Sequence, residues 1–147
     1  MSSYQVKKTP GDSSWFRHDR FGMFIHWGVY SVPARGEWVH TRGNIMPEQY
    51  RIYVENFTPD KFDPASWAKA AKNAGMKYVV FTAKHCDGFA MFHTEVSDFC
   101  VTKATPFGRD IVRELAEACR KYGLIFCLYY SQRQDWHEPD GVWAEWE

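Results

Sequence analysis

The feature that most constrains the fold is a helix-to-strand unit that occurs twice along the chain. In the first copy, Gly75 ends a predicted helix and the continuous apolar run 78–83 follows. In the second copy, 48 residues later, Gly123 ends a helix and the run 124–129 follows. Apolar runs without alternation are typical of parallel strands that are buried on both faces. The repeat therefore predicts a parallel α/β fold.

Helix and strand signals fill in the order of the remaining elements. Asp63 with Pro64 and, further on, Asp110 supply the N-terminal caps of the two repeated helices. An earlier apolar run, 21–25, predicts a first strand, and proline at the start of 47–56 predicts a short helix. The predicted order is strand, long loop, two helices, strand, loop, helix, strand.

The composition is that of a globular domain, with 147 residues of which 45% are hydrophobic and 24% charged. The 18 Lys and Arg residues balance 18 Asp and Glu, and this zero net charge argues against nucleic acid as a partner. Residues 1–14 are polar and predict a flexible tail without a visible export signal. No stretch approaches the roughly 18 apolar residues of a membrane span, so we expect a soluble protein, with the cytoplasm slightly favoured.

The four cysteines do not follow the spacing of a metal site or a disulfide framework. They stand at Cys86, Cys100, Cys119 and Cys127, and we predict that they are reduced thiols. Because Cys86 follows His85, a nucleophilic thiol is an alternative. No local signature frames this cysteine, and a small buried thiol is the favoured interpretation.

Polar side chains capable of chemistry follow all three predicted strands. They are His26 and Trp27 after the first strand, Lys84, His85, Cys86 and Asp87 after the second, and Tyr129, Tyr130, Ser131, Asp135, Trp136 and His137 at or after the third. The carboxyl ends of parallel strands meet at one edge of a sheet, where α/β proteins bind ligands. The pattern therefore predicts one shared cleft.

Two chemistries suit this cleft. His26, His85 and Asp87 could supply nitrogen and oxygen ligands for zinc, but the chain has no HExxH or HxH spacing, and we predict no metal. Aromatic residues make up 18% of the chain. Histidine, tryptophan, tyrosine and carboxylates around one cleft are typical of sugar binding and glycoside cleavage, which is the favoured interpretation.

Glycoside cleavage requires a pair of carboxylates. Glu37 lies between Gly36 and Trp38 in the loop 28–44, where an aromatic neighbour would raise its pKa towards that of an acid catalyst. The other carboxylates predicted near the cleft are Asp87, Asp135 and Glu138. Because Asp87 precedes Gly88, a structural role in the turn after the strand is an equal alternative for this residue.

Several motifs occur in unbroken order over residues 15–137. They are Phe21-Gly-Met-Phe-Ile-His-Trp-Gly28, Tyr30-Ser-Val-Pro33, Gly36-Glu-Trp38, Lys84-His-Cys-Asp-Gly-Phe89, Arg109-Asp110 and Tyr129-Tyr-Ser131. Together they resemble the N-terminal half of the α-L-fucosidases of glycoside hydrolase family 29. The resemblance implies a (β/α) barrel, a retaining mechanism through a covalent fucosyl intermediate, α-L-fucosyl glycosides as substrates, and no metal or organic cofactor.

The resemblance also implies roles for single residues. His26 and His85 look like the histidines that hydrogen-bond fucose hydroxyls, and Tyr129 like the tyrosine at the pocket floor. Glu37 and Trp38 look like the loop pair beside the sugar, with the glutamate proposed as acid/base in some members. The remaining predicted sugar contacts are Trp27, Cys86 and Trp136. The family commonly has a second histidine in place of the cysteine, so we expect one hydroxyl contact to be weakened.

The family's nucleophilic aspartate ends a fourth strand, whereas this sequence contains three predicted strands. A complete barrel has eight strands in about 250 residues, so residues 15–147 are expected to form a partial barrel of about three β/α units. An open sheet leaves unpaired edges and an apolar face, and we expect copies to associate and complete each other's site. The alternatives are a non-catalytic fucose-binding fragment and one half of a split enzyme.

Overall fold

A computed structural model describes residues 11–138. Its elements, in chain order, are helix α1 (Ser14–Asp19), strand β1 (Gly22–Ile25), a 3-10 turn (Val29–Ser31), helices α2 (Val39–Arg42), α3 (Pro47–Glu55) and α4 (Pro64–Asn73), strand β2 (Tyr78–Lys84), helices α5 (Val101–Ala104) and α6 (Ile111–Lys121), and strand β3 (Ile125–Tyr130). The strands form a parallel sheet in the order β1-β2-β3. The predicted parallel α/β architecture is confirmed.

The two repeated helices begin and end where their caps predict. The carboxylates of Asp63 and Asp110 each accept a hydrogen bond from the backbone N–H three residues later, at 3.0 and 2.9 Å. After α4 and α6 the chain passes through Gly75 and Gly123, whose φ angles are +83° and +66°. Glycine adopts this left-handed conformation without a steric penalty, so each helix stops and the chain turns back into the sheet.

Helices α4 and α6 cover one face of the sheet. On that face, Val79 and Phe81 of the central strand are buried against Ala71 of α4 and against Leu115 and Cys119 of α6. The apolar stripes of both helices therefore account for the burial of β2. Within residues 11–138, no helix is both long and apolar enough to span a bilayer.

The outer strands are less buried than continuous apolar runs predict, and within residues 11–138 they leave the unpaired edges and the apolar face that are expected of an open sheet. Phe24 of β1 is 54% exposed and Leu128 of β3 is 52% exposed, and Tyr130 is also exposed. In the described part of the chain, β1 and β3 each pair with β2 alone, and no helix of residues 11–138 packs on the face that carries Phe24. A continuous apolar run indicates that a strand is suited to burial on both faces. Among the described strands, β2 is the one that has a neighbouring strand on each side.

The predicted tail, 1–14, lies largely in residues 1–10, which are outside the described residues. Helix α1, which begins at the last residue of that tail, is not predicted from the sequence. The rings of Trp15 and Phe16 contact the ring of Tyr78 at centroid distances of 5.8 and 5.5 Å. Helix α1 therefore packs at the amino end of the sheet, opposite the predicted cleft.

Candidate active site

Three of the predicted site residues meet at the carboxyl edge of the sheet. His26 directly follows β1, His85 directly follows β2, and Tyr129 is the penultimate residue of β3. Their ring centroids are separated by 4.9 Å between the two imidazoles, 5.7 Å from His85 to the phenol, and 6.2 Å from His26 to the phenol. Parallel pairing thus brings together side chains that are far apart in the sequence.

His85 is the buried member of this group. Its side chain is 4% exposed, and its Nδ1 has no hydrogen-bond partner among the described residues. Burial, together with the adjacent His26, lowers the pKa of His85 to about 4. The imidazole is therefore neutral at neutral pH and can exchange hydrogen bonds with a hydroxyl group. A buried nitrogen without a partner is unusual in proteins, and this one is able to form a hydrogen bond with a ligand.

A cavity of about 440 Å³ opens beside His26. It is lined by His26, Tyr30, Ser31, Ala34, Gly36 and Glu37. Glu37 is half-buried, and the next residue, Trp38, directs its ring edge-to-face towards His85 at 6.3 Å. The predicted loop pair therefore lies beside the imidazoles, and Glu37 is a carboxylate that lines the cavity.

Tyr30 is a cavity residue to which sequence analysis assigned no role. Its ring centroid lies 5.6 Å from that of His26 and 5.5 Å from that of His85, and its burial raises the pKa of the phenol. A Cβ atom at Gly28 would lie 2.7 Å from the Tyr30 ring. The glycine was the sequence signal for this close approach, because a larger residue there would displace the ring.

Trp27 does not join the cavity, contrary to its prediction as a sugar contact. Its indole packs against Phe57, Phe62 and Trp67 at centroid distances of 5.4, 5.8 and 5.5 Å. Successive residues of an extended chain point to opposite sides. Because His26 faces the cavity, the next side chain enters the aromatic core.

Cys86 and Trp136 also have surroundings other than those predicted. The Cys86 thiol is buried and lies 3.1 Å from Gln134 Oε1 and 3.4 Å from Ser131 Oγ. Trp136 is fully buried, and its ring lies 5.1 Å from that of Trp38. Both side chains therefore contact other parts of the protein, and the ring of Trp136 packs against that of Trp38.

Asp87 is buried inside the protein, whereas sequence analysis predicted it as a cleft carboxylate. It accepts a hydrogen bond of 2.8 Å from Tyr50 Oη and one of 3.3 Å from the backbone N–H of Phe89. Burial raises the pKa of Asp87 to about 6. The contacts of this carboxyl are those of a structural group that holds the turn after His85.

The two remaining predicted carboxylates, like Asp87, do not line the cavity. Asp135 forms an ion pair with Lys84 at 2.6 Å, and Glu138 is exposed. Residues 11–138 contain no group of three or more His, Cys, Asp or Glu side chains arranged to hold a metal ion. His26, His85 and Asp87, which were considered as zinc ligands, therefore do not form such a group.

Comparison with known proteins identifies the family. The family model described as Alpha-L-fucosidase matches residues 2–146. The chain belongs to the alpha-L-fucosidase family. Tissue alpha-L-fucosidase of Mus musculus is 39% identical over 142 residues, which are 86% of this chain and 31% of the mouse protein. The human tissue enzyme is 37% identical over 142 residues, 86% of this chain and 30% of its own length.

Solved fucosidases have the same fold in this region. Alpha-L-fucosidase isoenzyme 1 from Paenibacillus thiaminolyticus is 54% identical with a TM-score of 0.84, over 88% of this chain and 30% of that enzyme. AlfC from Lactobacillus casei is 47% identical with a TM-score of 0.83, over 87% of this chain and 42% of that enzyme. The chain thus spans less than a third of the curated fucosidases named here. The resemblance inferred from the motifs is confirmed.

Proposed function

We propose that this chain forms the fucose-binding part of an α-L-fucosidase active site and acts in the hydrolysis of terminal α-L-fucosyl linkages. The observation that carries the proposal is the cluster of His26, His85 and Tyr129, in which a buried imidazole nitrogen has no hydrogen-bond partner within residues 11–138. Support also comes from AlfC, a relative of known structure in complex with alpha-L-fucose product.

The residues suit a sugar ring that carries several hydroxyl groups. A neutral histidine both donates and accepts hydrogen bonds, so His85 can bind a hydroxyl without an added charge, and the imidazole of His26 offers a second hydrogen-bonding group. The rings of Trp38 and Tyr129 offer apolar faces to the C–H side of the sugar. In this proposal the deoxy sugar contacts the aromatic rings, and its hydroxyls face the imidazoles.

Glu37 is proposed as the acid/base residue. As acid it donates a proton to the departing glycosidic oxygen, and as base it then takes a proton from the attacking water. When a sugar hydroxyl replaces that water, the same step yields transfer of fucose instead of hydrolysis. AlfC has been solved as fucosyltransferase mutants, which is a property of that enzyme and a proposal for this chain.

A retaining mechanism requires a second carboxylate about 5–5.5 Å from the first. Asp87 and Asp135 are engaged with Tyr50 and Lys84, respectively, and neither lines the cavity. We therefore propose that the nucleophile comes from outside residues 11–138. The sheet would then be one part of the wall of a (β/α) barrel, completed by other residues of the same polypeptide, by a second copy or by a second chain.

The engagement of these two carboxylates also favours a second candidate function, non-catalytic binding of fucose. One experiment separates the two. Purified protein is passed over a size-exclusion column with light scattering, and each fraction is tested for hydrolysis of an aryl α-L-fucoside and for fucose binding by calorimetry. We expect activity and fucose binding in the same peak. If copies associate as predicted, the mass of that peak exceeds the mass of a single chain. Binding without turnover selects the non-catalytic function.

Two variants test whether Glu37 is the acid/base residue. Glu37→Gln keeps the size and loses the proton, so hydrolysis is expected to fall about a hundredfold while fucose still binds. Glu55→Gln is the matched control, because Glu55 is an exposed glutamate on α3 that does not line the cavity. Undiminished hydrolysis by Glu37→Gln removes Glu37 from the mechanism. A wild-type chain that neither binds fucose nor hydrolyses the fucoside overturns the proposed function.

A further inference from the structure

The segment that follows β3, residues 131–137, lies across the end of β2, and we call it the strap. The backbone N–H of Ser131 donates to the Lys84 carbonyl oxygen at 2.9 Å, and Lys84 Nζ donates back to the Ser131 carbonyl at 3.1 Å. The backbone N–H of Trp136 donates to the Cys86 carbonyl at 2.7 Å. The strap is therefore attached at its start to the last residue of β2 and near its end to the turn that follows β2.

A buried ion pair adds to these backbone bonds. Lys84 Nζ lies 2.6 Å from Asp135 Oδ2, with the two side chains only 11% and 21% exposed. Every other ion pair found within residues 11–138 has at least one side chain 47% exposed or more. Breaking a buried pair leaves an uncompensated charge, so this contact has far more influence than a surface pair.

Gly88 shows how closely the strap is seated. A Cβ atom on Gly88 would lie 2.2 Å from Asp135 Oδ1 and 2.9 Å from the Cβ of His137, and the residue has a φ of +79°. Both the space and the backbone conformation require glycine at this position. The turn after β2 thus has no side chain where the strap crosses it.

The strap places one residue behind the sugar site. Trp136 is fully buried, with its ring 5.1 Å from that of Trp38 and 5.7 Å from that of His40. Trp38 in turn faces His85. A continuous series of ring contacts therefore connects the strap to the imidazole with the unpartnered nitrogen.

We propose that Lys84 and Asp135 are positioning residues of the sugar site. Their ion pair seats the strap, the strap fixes Trp136, and Trp136 holds Trp38 in the orientation that binds the sugar. Neither charged residue lines the cavity. The inference rests on the proposed function only in naming fucose as the ligand; the seating of the strap is independent of it.

The first part of the test measures the strap without any sugar. The Cys86 thiol lies beneath the strap, so its rate of exchange with an aromatic disulfide reports how often the strap opens. The background variant is Cys127→Ser, because Cys127 is the half-buried thiol and the other cysteines are buried. Adding Cys86→Ser to that background shows which part of the labelling signal comes from Cys86.

Asp135→Asn and Lys84→Met are each expected to accelerate labelling of Cys86 about tenfold or more, because each breaks the buried pair. Burial raises the pKa of the Cys86 thiol and the charge of Lys84 opposes this shift, so loss of that charge alone would slow the reaction. Acceleration in both variants therefore reports opening of the strap rather than a change in thiolate fraction. Asp98→Asn, which breaks an exposed pair with Lys103, is the matched control and should leave the rate unchanged.

The second part measures fucose affinity by calorimetry on the same variants, after circular dichroism has established that they are folded. Misplacing the tryptophan pair is expected to raise Kd about tenfold in Asp135→Asn and Lys84→Met and to leave Asp98→Asn unchanged. Faster labelling with unchanged fucose affinity overturns the positioning role, and unchanged labelling overturns the seating of the strap. A wild-type chain that binds no fucose overturns the proposed function and the sugar part of this inference, while the labelling rates still decide the strap.

Discussion

Consecutive residues at the end of β2 belong to two clusters with opposite properties. His85 joins His26 and Tyr129 on the cavity side, where a buried imidazole nitrogen has no partner among the described residues. Lys84 joins the strap cluster, where it is paired with the carboxylate of Asp135. At this strand end Lys84 has a protein partner, whereas the Nδ1 atom of His85 has none among the described residues, so His85 can hydrogen-bond a ligand as the proposed function requires.

Residues of the strap are expected to contribute most to the free energy of unfolding, and Trp136→Ala is the substitution with the largest expected effect. Removing a fully buried tryptophan is expected to lower the free energy of unfolding by about 3–5 kcal/mol, measured by urea titration. Leu128→Ala is the control, since Leu128 is half-exposed and its truncation should cost under about 1 kcal/mol. A loss for Trp136→Ala no larger than that of the control contradicts the division between the two clusters.

This division also explains how much the sequence could predict. Strand ends are encoded locally by helix caps, glycine stops and apolar runs, so the meeting of His26, His85 and Tyr129 at one edge followed from the parallel order. The side to which a residue points after a strand ends is not encoded locally. Trp27 and Cys86 were therefore predicted as sugar contacts because of their neighbours, and both point elsewhere.

Contacts between distant segments were the least predictable part. The pairing of Lys84 with Asp135 joins residues on different strand ends, and no local pattern marks it. Gly88 is the sequence signal for this contact, because a glycine after a strand can mark a place where another segment comes close. Helix α1 was missed because its six residues are too few for an apolar period to appear.

The pH dependence of stability tests the buried carboxyl of Asp87, which does not line the cavity. Tyr50 binds it, and the nearby Lys84 and Asp135 act on it through their charges. Its pKa is about 6 in the folded chain and 3.8 in the unfolded reference. As the pH rises between these values, the unfolded chain loses the proton first, so wild-type stability falls across this window.

Asp87→Asn removes this titration. Relative to wild type, the variant is expected to gain up to about 3 kcal/mol in unfolding free energy between pH 4 and pH 7, at 1.36 kcal/mol per pKa unit. The measurement is urea unfolding of both proteins across that range. His85, whose pKa is lowered, titrates in both proteins and cancels in the difference. Parallel stability curves would show that the Asp87 carboxyl is charged in the folded chain.

The cavity side should give the smallest change in stability, with His26→Ala as the example. His26 is exposed, so its loss is expected to alter the free energy of unfolding by less than about 0.5 kcal/mol. Loss of one hydrogen bond to the sugar is nevertheless expected to raise the Kd for fucose about tenfold in calorimetry.

His18→Ala is the matched control, because His18 is an exposed histidine of α1 at the other end of the sheet. It should change neither stability nor fucose affinity. If His26→Ala destabilises the chain as much as Trp136→Ala does, then the imidazole is part of the scaffold. Unchanged stability together with weaker fucose binding is the result expected of a residue that makes its main contacts with the ligand. A residue that makes its main contacts within the folded protein would lose stability as well.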